Sequence, residues 1–581
     1  MLFDRSRCDL RGPHAHVVSR GLRVLGLGLG LCCAHTSEGQ TTLAASDEPI
    51  FAQAGGKATP SGNGQKAVPP AAPVSPPTGP TVSETAPGAP QEGDKTSAGP
   101  QLPPASPPPA DPASRKKWLE QRIDQLCTTL LPGKNHIGIA VLDLDSGQFL
   151  YTRNHEMPLN IASNVKLFTT AAALTLLGPE YRFKTVILGE REKTDKPGEW
   201  KNLYLRGYGD PWFSTEDLWK LTTEVSVRGV KKIRGDVIID DTFFDEQRVG
   251  PAFEQKNQDA AYRAPQGAVS LNGNVIAVRV LPAPVAGQPA RAIVDPGSAY
   301  VSLVNEARTV SQGRTSVFVE ATEEKDAPAG KERTVVRVRG TIRTTDAAGL
   351  DFYKRVAHPD LFAGHTLFDL LSRRGVPIQG RVIRGTVPLT AQILGTHYSP
   401  PLGVIVRDVN KRSNNFTAEQ ILKSLGSDSS GKPGSWPKGL QAVGRYLETV
   451  GILPGKYQMM NGSGLFDSNR FTALQVVTLL RAAYRDFRIS ADFVGSLAIA
   501  GADGTVAHRL SGTVADRLVR AKTGTLNGVS CLSGFAGAPQ NPQQTLRSPL
   551  AFSILVNEEE TAQAKRLQDA VVEALVAFST L

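Results

Sequence analysis

The stretch Ser163-Asn164-Val165-Lys166-Leu167-Phe168-Thr169-Thr170-Ala171-Ala172-Ala173-Leu174-Thr175-Leu176-Leu177-Gly178 decides how the chain is read. From Lys166 onward it is mostly apolar on every side and closed by glycine, the pattern of a buried helix with a C-terminal stop. Ser163 and Lys166 stand three residues apart at its start, so both project from one face of the first turn. Burial disfavours the charged form of an amine, and an uncharged lysine beside a serine hydroxyl can accept its proton as the oxygen attacks a carbonyl. The spacing alone carries little, since Ser114 with Lys117 and Ser429 with Lys432 repeat it in segments read as flexible. The buried helix start is what singles out Ser163.

Two further patterns lie downstream. Ser413-Asn414-Asn415 by itself suits a helix cap, and Ser61-Gly62-Asn63 and Ser270-Leu271-Asn272 copy its spacing. Lys522-Thr523-Gly524-Thr525 is more specific: beside a strand it offers an ammonium and hydroxyls to a carboxylate, and its glycine lets a substrate backbone come close.

Working outward, the spacing of Trp118, Ile123, Leu126 and Leu130 predicts a helix over Arg115 to Leu131, followed by a hairpin of Ile137–Leu142 and Gln148–Tyr151. From Tyr181 to Gly380 the reading is mostly strands, among them Asn202–Leu205, Val237–Ile239, Val275–Leu281, Val301–Val304, Val317–Glu320 and Thr334–Val338, with one helical interruption at Leu361–Arg374. Beyond Tyr398 helices at Val404–Lys411, Ala418–Leu425, Gly439–Val450 and Leu474–Tyr484 precede strands at Val519–Thr523, Cys531–Ala536 and Leu550–Val556 and a last helix, Ala562–Phe578.

The chain has 581 residues, too many for one ordinary core, and 40% of them are hydrophobic, which excludes a wholly disordered protein. Beyond the N-terminus no apolar run reaches the length of a membrane span, which excludes a polytopic membrane protein. Residues 1–34 join a basic flank (Arg5, Arg7, Arg11, Arg20, Arg23) to a short apolar stretch ending in Cys32-Cys33-Ala34, and predict an export leader. Leu31 is bulky where lipidation at Cys32 calls for a small residue, which argues against a lipoprotein anchor. Residues 35–113 hold 17 prolines and cannot bury a core; they are expected to form a disordered polar spacer, leaving 468 residues from Ser114 on to carry function. A formal charge of +10 allows weak attraction to a membrane or wall polyanion, but Arg115-Lys116-Lys117 and Lys231-Lys232-Ile233-Arg234 are short and lack interleaved aromatics, so nucleic acid is not an expected partner. Beyond the leader only Cys127 and Cys531 remain; they spell no metal site, and two buried thiols are favoured over one disulfide.

The three short patterns, in this order, resemble the signature of penicillin-binding proteins and serine β-lactamases. More specifically, the chain from about Lys117 to the C-terminus is similar to the D-alanyl-D-alanine carboxypeptidase/endopeptidase family, the class C low-molecular-mass penicillin-binding proteins. Gly207-Tyr208-Gly209-Asp210-Pro211, Gly462-Ser463-Gly464-Leu465, Asn469-Arg470, Gly501-Ala502-Asp503-Gly504-Thr505 and Val519-Arg520-Ala521 ahead of Lys522 extend the likeness. The 246 residues between Lys166 and Ser413 distinguish it from β-lactamases and simpler carboxypeptidases, whose interval is far shorter.

The resemblance implies an α/β fold of the penicillin-binding and serine β-lactamase type, a sheet flanked by helices with a helical subdomain, and two β-rich domains inserted between the first two motifs. The catalytic domain would then occupy 114–185 and 391–581, with the insertion at 186–390. It implies Ser163 as acylated nucleophile, Lys166 as general base, Ser413 as proton relay to the leaving amine, Asn415 as the group that orients the substrate peptide, and Lys522, Thr523, Gly524 and Thr525 as the binder of a terminal carboxylate. The backbone amides of Ser163 and Thr525 would form the oxyanion hole, and Asp259, ahead of Tyr262, is the candidate for recognising a side-chain amine. Implied partners are peptidoglycan stem peptides and their cross-links, with β-lactams as covalent inhibitors at Ser163, no cofactor, no metal, and work in the periplasm. Asn164, Tyr208 and Asn461 depart from common family residues without removing a catalytic group. A serine β-lactamase and a non-catalytic wall-binding protein are the alternatives.

Overall fold

The computed structural model describes residues 106–191, 196–253, 258–324, 327–328, 332–537 and 549–580. The expected leader, and the spacer as far as residue 105, lie outside them. Helix α1 (Pro112–Leu130) begins three residues ahead of the expected Arg115, because Asp111 caps it by accepting the Ser114 amide at 2.8 Å. Strands β1 (Ile137–Asp143) and β2 (Phe149–Arg153) form the expected hairpin. A 3-10 turn, Ala162–Asn164, then runs into α2 (Val165–Leu177), which is buried without a break from Val165 to Leu174.

The long interval follows. Strands β3 (Lys184–Arg191) and β4 (Glu199–Gly207) precede α3 (Thr215–Val227), β5 (Lys232–Ile233) and β6 (Val237–Asp240). Then come β7 (Val275–Leu281), β8 (Arg291–Asp295), β9 (Val301–Asn305), β10 (Arg308–Val310), β11 (Ser316–Glu323), β12 (Thr334–Arg343) and β13 (Leu350–Arg355). Helix α4 (Pro359–Arg373), β14 (Val382–Arg384) and β15 (Gln392–Tyr398) complete it. One sheet runs β14-β6-β4-β3-β15 with β5 beside β4, another runs β13-β7-β8, and in a third β12 has β11 on one side and β9 and β10 on the other. These sheets and α4 share an apolar cluster that includes Ile187, Leu205, Ile239, Val278, Val336 and Phe362. Helix α3 departs from the reading of this region as mostly strands with one helix at Leu361–Arg374. Ser214 and Asp217 form a reciprocal capping box, and Leu218, Leu221 and Val225 bury one face.

The second half supplies α5 (Leu402–Arg412), α6 (Asn415–Ser430), α7 (Trp436–Thr449), α8 (Ala473–Arg485) and α9 (Ser490–Ser496), then β16 (Ala498–Ile499), β17 (Val519–Leu526), β18 (Val529–Ala536), β19 (Leu550–Asn557) and α10 (Thr561–Ser579). These strands return to the first hairpin to give an antiparallel order β16-β17-β18-β19-β1-β2. Alternation along β19 explains why both faces of this sheet are covered. Leu550, Phe552, Ile554 and Val556 join the apolar cluster with α1 and α10, while Ala551 and Leu555 join the one built by α2 and α5 to α9. Each large aliphatic side chain so buried contributes roughly 1.5–3 kcal/mol. The result is a mixed α/β fold with several sheets and a helical layer. Cys127 and Cys531 are free and buried, as the favoured reading had them.

Candidate active site

Three structural junctions converge. The first is the 3-10 turn leading into α2: Ser163 lies in the turn and Lys166, fully buried, in the first turn of the helix. The second joins α5 to α6. Ser413 ends α5 in the left-handed conformation, φ 61°, and Asn414 caps α6 by accepting the Thr417 amide at 3.1 Å, which turns the chain sharply and leaves Asn415 at the start of α6. The third is β17, which carries Lys522 to Thr525 and pairs with β18 along that whole run. On its other edge β16 pairs only with Arg520 and Ala521, so among the described residues no strand covers the edge from Lys522 onward.

Lys166 Nζ lies 3.0 Å from Ser163 Oγ, 2.7 Å from Asn415 Oδ1 and 2.5 Å from the Ser463 carbonyl. A protonated lysine donates to all three. A neutral one has two N–H bonds and a lone pair, and a carbonyl and an amide oxygen can only accept. Those two acceptors therefore claim both N–H groups and leave the lone pair to accept the Ser163 hydroxyl proton. Burial holds the Lys166 pKa well below its ordinary value, the charge of Lys522 adds to the depression, and the carboxylate of Glu419 opposes it. In its neutral state the Lys166 nitrogen can accept the proton of the Ser163 hydroxyl.

Lys522 Nζ donates to Ser413 Oγ at 2.9 Å and to the Thr523 carbonyl at 2.7 Å, and burial brings its pKa down to about 7. Thr523 bonds to Thr505 at 2.8 Å. Gly524 has a steric reason: a Cβ there would sit 2.6 Å from the Ile161 carbonyl and 3.2 Å from the Ser163 amide nitrogen, so only glycine lets β17 run this close to the nucleophile's turn. Ser163, Lys166, Ser413, Asn415 and Lys522 are therefore linked by hydrogen bonds in two groups, and Gly524 brings the strand of Lys522 to Thr525 against the first. Asp259 is not joined to them. Its carboxylate pairs with Lys354 of β13 at 2.8 Å and accepts the Ala321 amide at 3.3 Å, whereas nearby Tyr262 contributes its carbonyl to Asn415 Nδ2 at 3.4 Å.

The sequence reading missed Glu419. It is buried one turn along α6 from Asn415, and accepts from the amides of Gly462 at 3.1 Å and Ser463 at 2.8 Å and from Trp436 Nε1 at 2.7 Å. The departures from family wording have local accounts. Asn461 braces the same turn, accepting from Gly464 N at 2.8 Å and donating to the Leu465 carbonyl at 3.1 Å. Asn164 is buried toward Ser533 at 3.5 Å, and Tyr208 packs edge-on against Phe243.

Residues 119–577 match the model of the D-Ala-D-Ala carboxypeptidase 3 (S13) family. A D-alanyl-D-alanine carboxypeptidase of an Actinomadura species is 35% identical over 456 residues, covering 76% of this chain and 81% of that protein. The D-alanyl-D-alanine carboxypeptidase DacB of Haemophilus influenzae is 26% identical over 420 residues, 70% of this chain and 84% of that one. The crystal structure of penicillin binding protein 4 from Haemophilus influenzae superposes with a TM-score of 0.65 at 22% identity, over 77% of this chain and 97% of that one, and bears out the fold.

Proposed function

The chain belongs to the D-Ala-D-Ala carboxypeptidase 3 (S13) family of serine hydrolases that process peptidoglycan outside the cytoplasm, and we propose that it hydrolyses D-alanyl-D-alanine and D-alanyl-diamino acid cross-link bonds through an ester on Ser163. The observation that carries this reading is the lone-pair geometry at Lys166, where two obligate acceptors point the nitrogen's free pair at the serine hydroxyl.

In the first step Ser163 Oγ bonds to the D-alanyl carbonyl carbon as its proton moves to Lys166. The amide N–H groups of Ser163 and Thr525 receive the tetrahedral oxyanion. The C–N bond then breaks, and the leaving amine takes a proton relayed from Lys166 through Ser413, whose hydroxyl already holds Lys522. Water next attacks the ester with Lys166 as base, releasing the new carboxylate and restoring the serine. Lys522, Thr523 and Thr525 bind the terminal carboxylate, and Asn415 orients the substrate amide. The uncovered edge of β17 gives an extended peptide a row of backbone partners beside the nucleophile. A β-lactam, an amide of similar shape, would acylate Ser163 and stay there. The export leader suits work in the periplasm.

The reading is tested by incubating the protein with defined monomeric and cross-linked muropeptides and weighing the products. Loss of one D-alanine from monomers and splitting of cross-linked dimers are the expected results. Inertness toward both would sink the enzyme reading, and rapid turnover of penicillin with no lasting adduct would make the protein a β-lactamase instead.

A further inference from the structure

The proton acceptor at Ser163 works only if its nitrogen is held in one orientation, and one of the two acceptors that hold it, the Ser463 carbonyl, lies in a glycine-flanked turn rather than in a helix or strand. Something must fix that turn. Gly462 and Gly464 flank Ser463, and at Gly464, φ +76°, a Cβ would overlap the Ala162 carbonyl, so the turn is pressed directly against the turn of the nucleophile. Glycines give this contact its closeness but no rigidity.

We infer that Glu419 is the positioning residue that aims the Ser463 carbonyl at Lys166 and so orients the base. Its two oxygens receive three N–H donors, Oε2 from Gly462 at 3.1 Å and Trp436 at 2.7 Å, and Oε1 from Ser463 at 2.8 Å. The Ser463 amide and the Ser463 carbonyl thus bind a carboxylate and an amine respectively, and the residue is pinned from both ends. Glu419 and Asn415 are one helical turn apart on α6, so a single rigid element supplies one acceptor to Lys166 directly and fixes the other through the turn. Glu419 acts on charge as well as position. The charges that act on Lys166 are Lys522 from β17 and Glu419 from α6, of opposite sign, and Ser163, Asn415 and Ser463 supply its neutral contacts. A glutamine cannot reproduce the arrangement, because its amide nitrogen would face one of the three donors.

This inference rests on the acyl-enzyme reading above, and the test separates the two. Stopped-flow acylation of the full-length protein by penicillin is measured across pH for the wild type, Glu419→Gln and Glu419→Asp. Removing the carboxylate charge makes protonation of Lys166 still harder, so in Glu419→Gln the acid limb of the profile moves to lower pH while the maximal rate falls about 10- to 100-fold, the range expected when a reacting group is misplaced by about 1 Å. Glu419→Asp keeps the charge but withdraws it by one methylene, so the rate falls and the acid limb stays near that of the wild type. A Glu419→Gln rate loss with an unmoved acid limb would reduce Glu419 to a structural residue and overturn the inference, as would a wild-type rate in either variant. If Glu419→Gln does not fold, the Glu419→Asp rate decides. Failure of the wild type itself to acylate would instead overturn the acyl-enzyme reading.

Discussion

At the scale of the residue, the proposed reaction gives two buried amines different tasks. Lys166 must be neutral to accept a proton, whereas Lys522 must be charged to attract a carboxylate, and burial depresses both. The rate constant kcat/KM for a D-Ala-D-Ala peptide should therefore rise with pH as Lys166 loses its proton and fall above about 7 as Lys522 loses its own. A substrate with its terminal carboxylate amidated should lack the alkaline limb, and retention of that limb would remove Lys522 from carboxylate binding. The same depression links to stability. Unfolded, Lys522 keeps its proton up to the ordinary 10.5, and folded it releases it near 7, so between those values the unfolded chain binds more protons and its share of stability rises with pH. In urea unfolding, Lys522→Met should be more stable than the wild type at pH 6 by a margin that narrows by up to about 1.4 kcal/mol per pH unit between 7 and 10. Ser163 and Lys166 were legible because the run from Lys166 is apolar all round and fixes the helix start. Glu419 was not, because its donors lie 17, 43 and 44 residues further along and no local spacing points to them.

At the scale of the element, the site depends on how helix and strand ends are held. Asn414 caps α6 and also donates to Asp408 at 3.0 Å, tying the end of α5 to the start of α6. Asn414→Ala should cost about 1 kcal/mol of stability and slow acylation by loosening both Ser413 and Asn415, measured by thermal unfolding and penicillin labelling side by side. Gly524→Ala should leave the fold intact yet lower acylation about 100-fold, since its Cβ pushes β17 off the nucleophile's turn; near-normal labelling would show that the close approach is dispensable. Strand β7, an apolar run rich in β-branched residues, was read correctly to both ends, and α2 within a residue. Helix α3 was missed inside a strand-rich block although Ser214 and Asp217 spell its cap. Strand β15 was missed because its apolar residues do not alternate cleanly, its pairing with β3 shifting register between Ile393 and Gly395.

At the scale of the whole molecule, the interval between Lys166 and Ser413 holds three sheets, and the chain between β6 and β7 reaches α6 directly. Lys423, two turns along α6 from Asn415, is fully buried and pairs with Asp245 at 2.6 Å and the Gln247 carbonyl at 2.8 Å; Gln420 donates to the Gly267 carbonyl at 2.9 Å. One face of α6 therefore meets Lys166 at its N-terminal end and the intervening segment further along. Lys423→Ala should destabilise the protein by about 3 kcal/mol, since it leaves Asp245 without its partner, and denaturant unfolding measures it. The interval's length was legible as a mark of the family, but its docking on α6 was not, because it depends on side chains brought together only by folding. The proposed reaction stands or falls on an acyl-enzyme at Ser163. It is tested most directly by reacting the protein with penicillin, digesting it and mapping the adduct by mass spectrometry. One adduct is expected, on the peptide containing Ser163 and absent from Ser163→Ala; an adduct on another residue, or undiminished labelling of Ser163→Ala, would overturn the assignment.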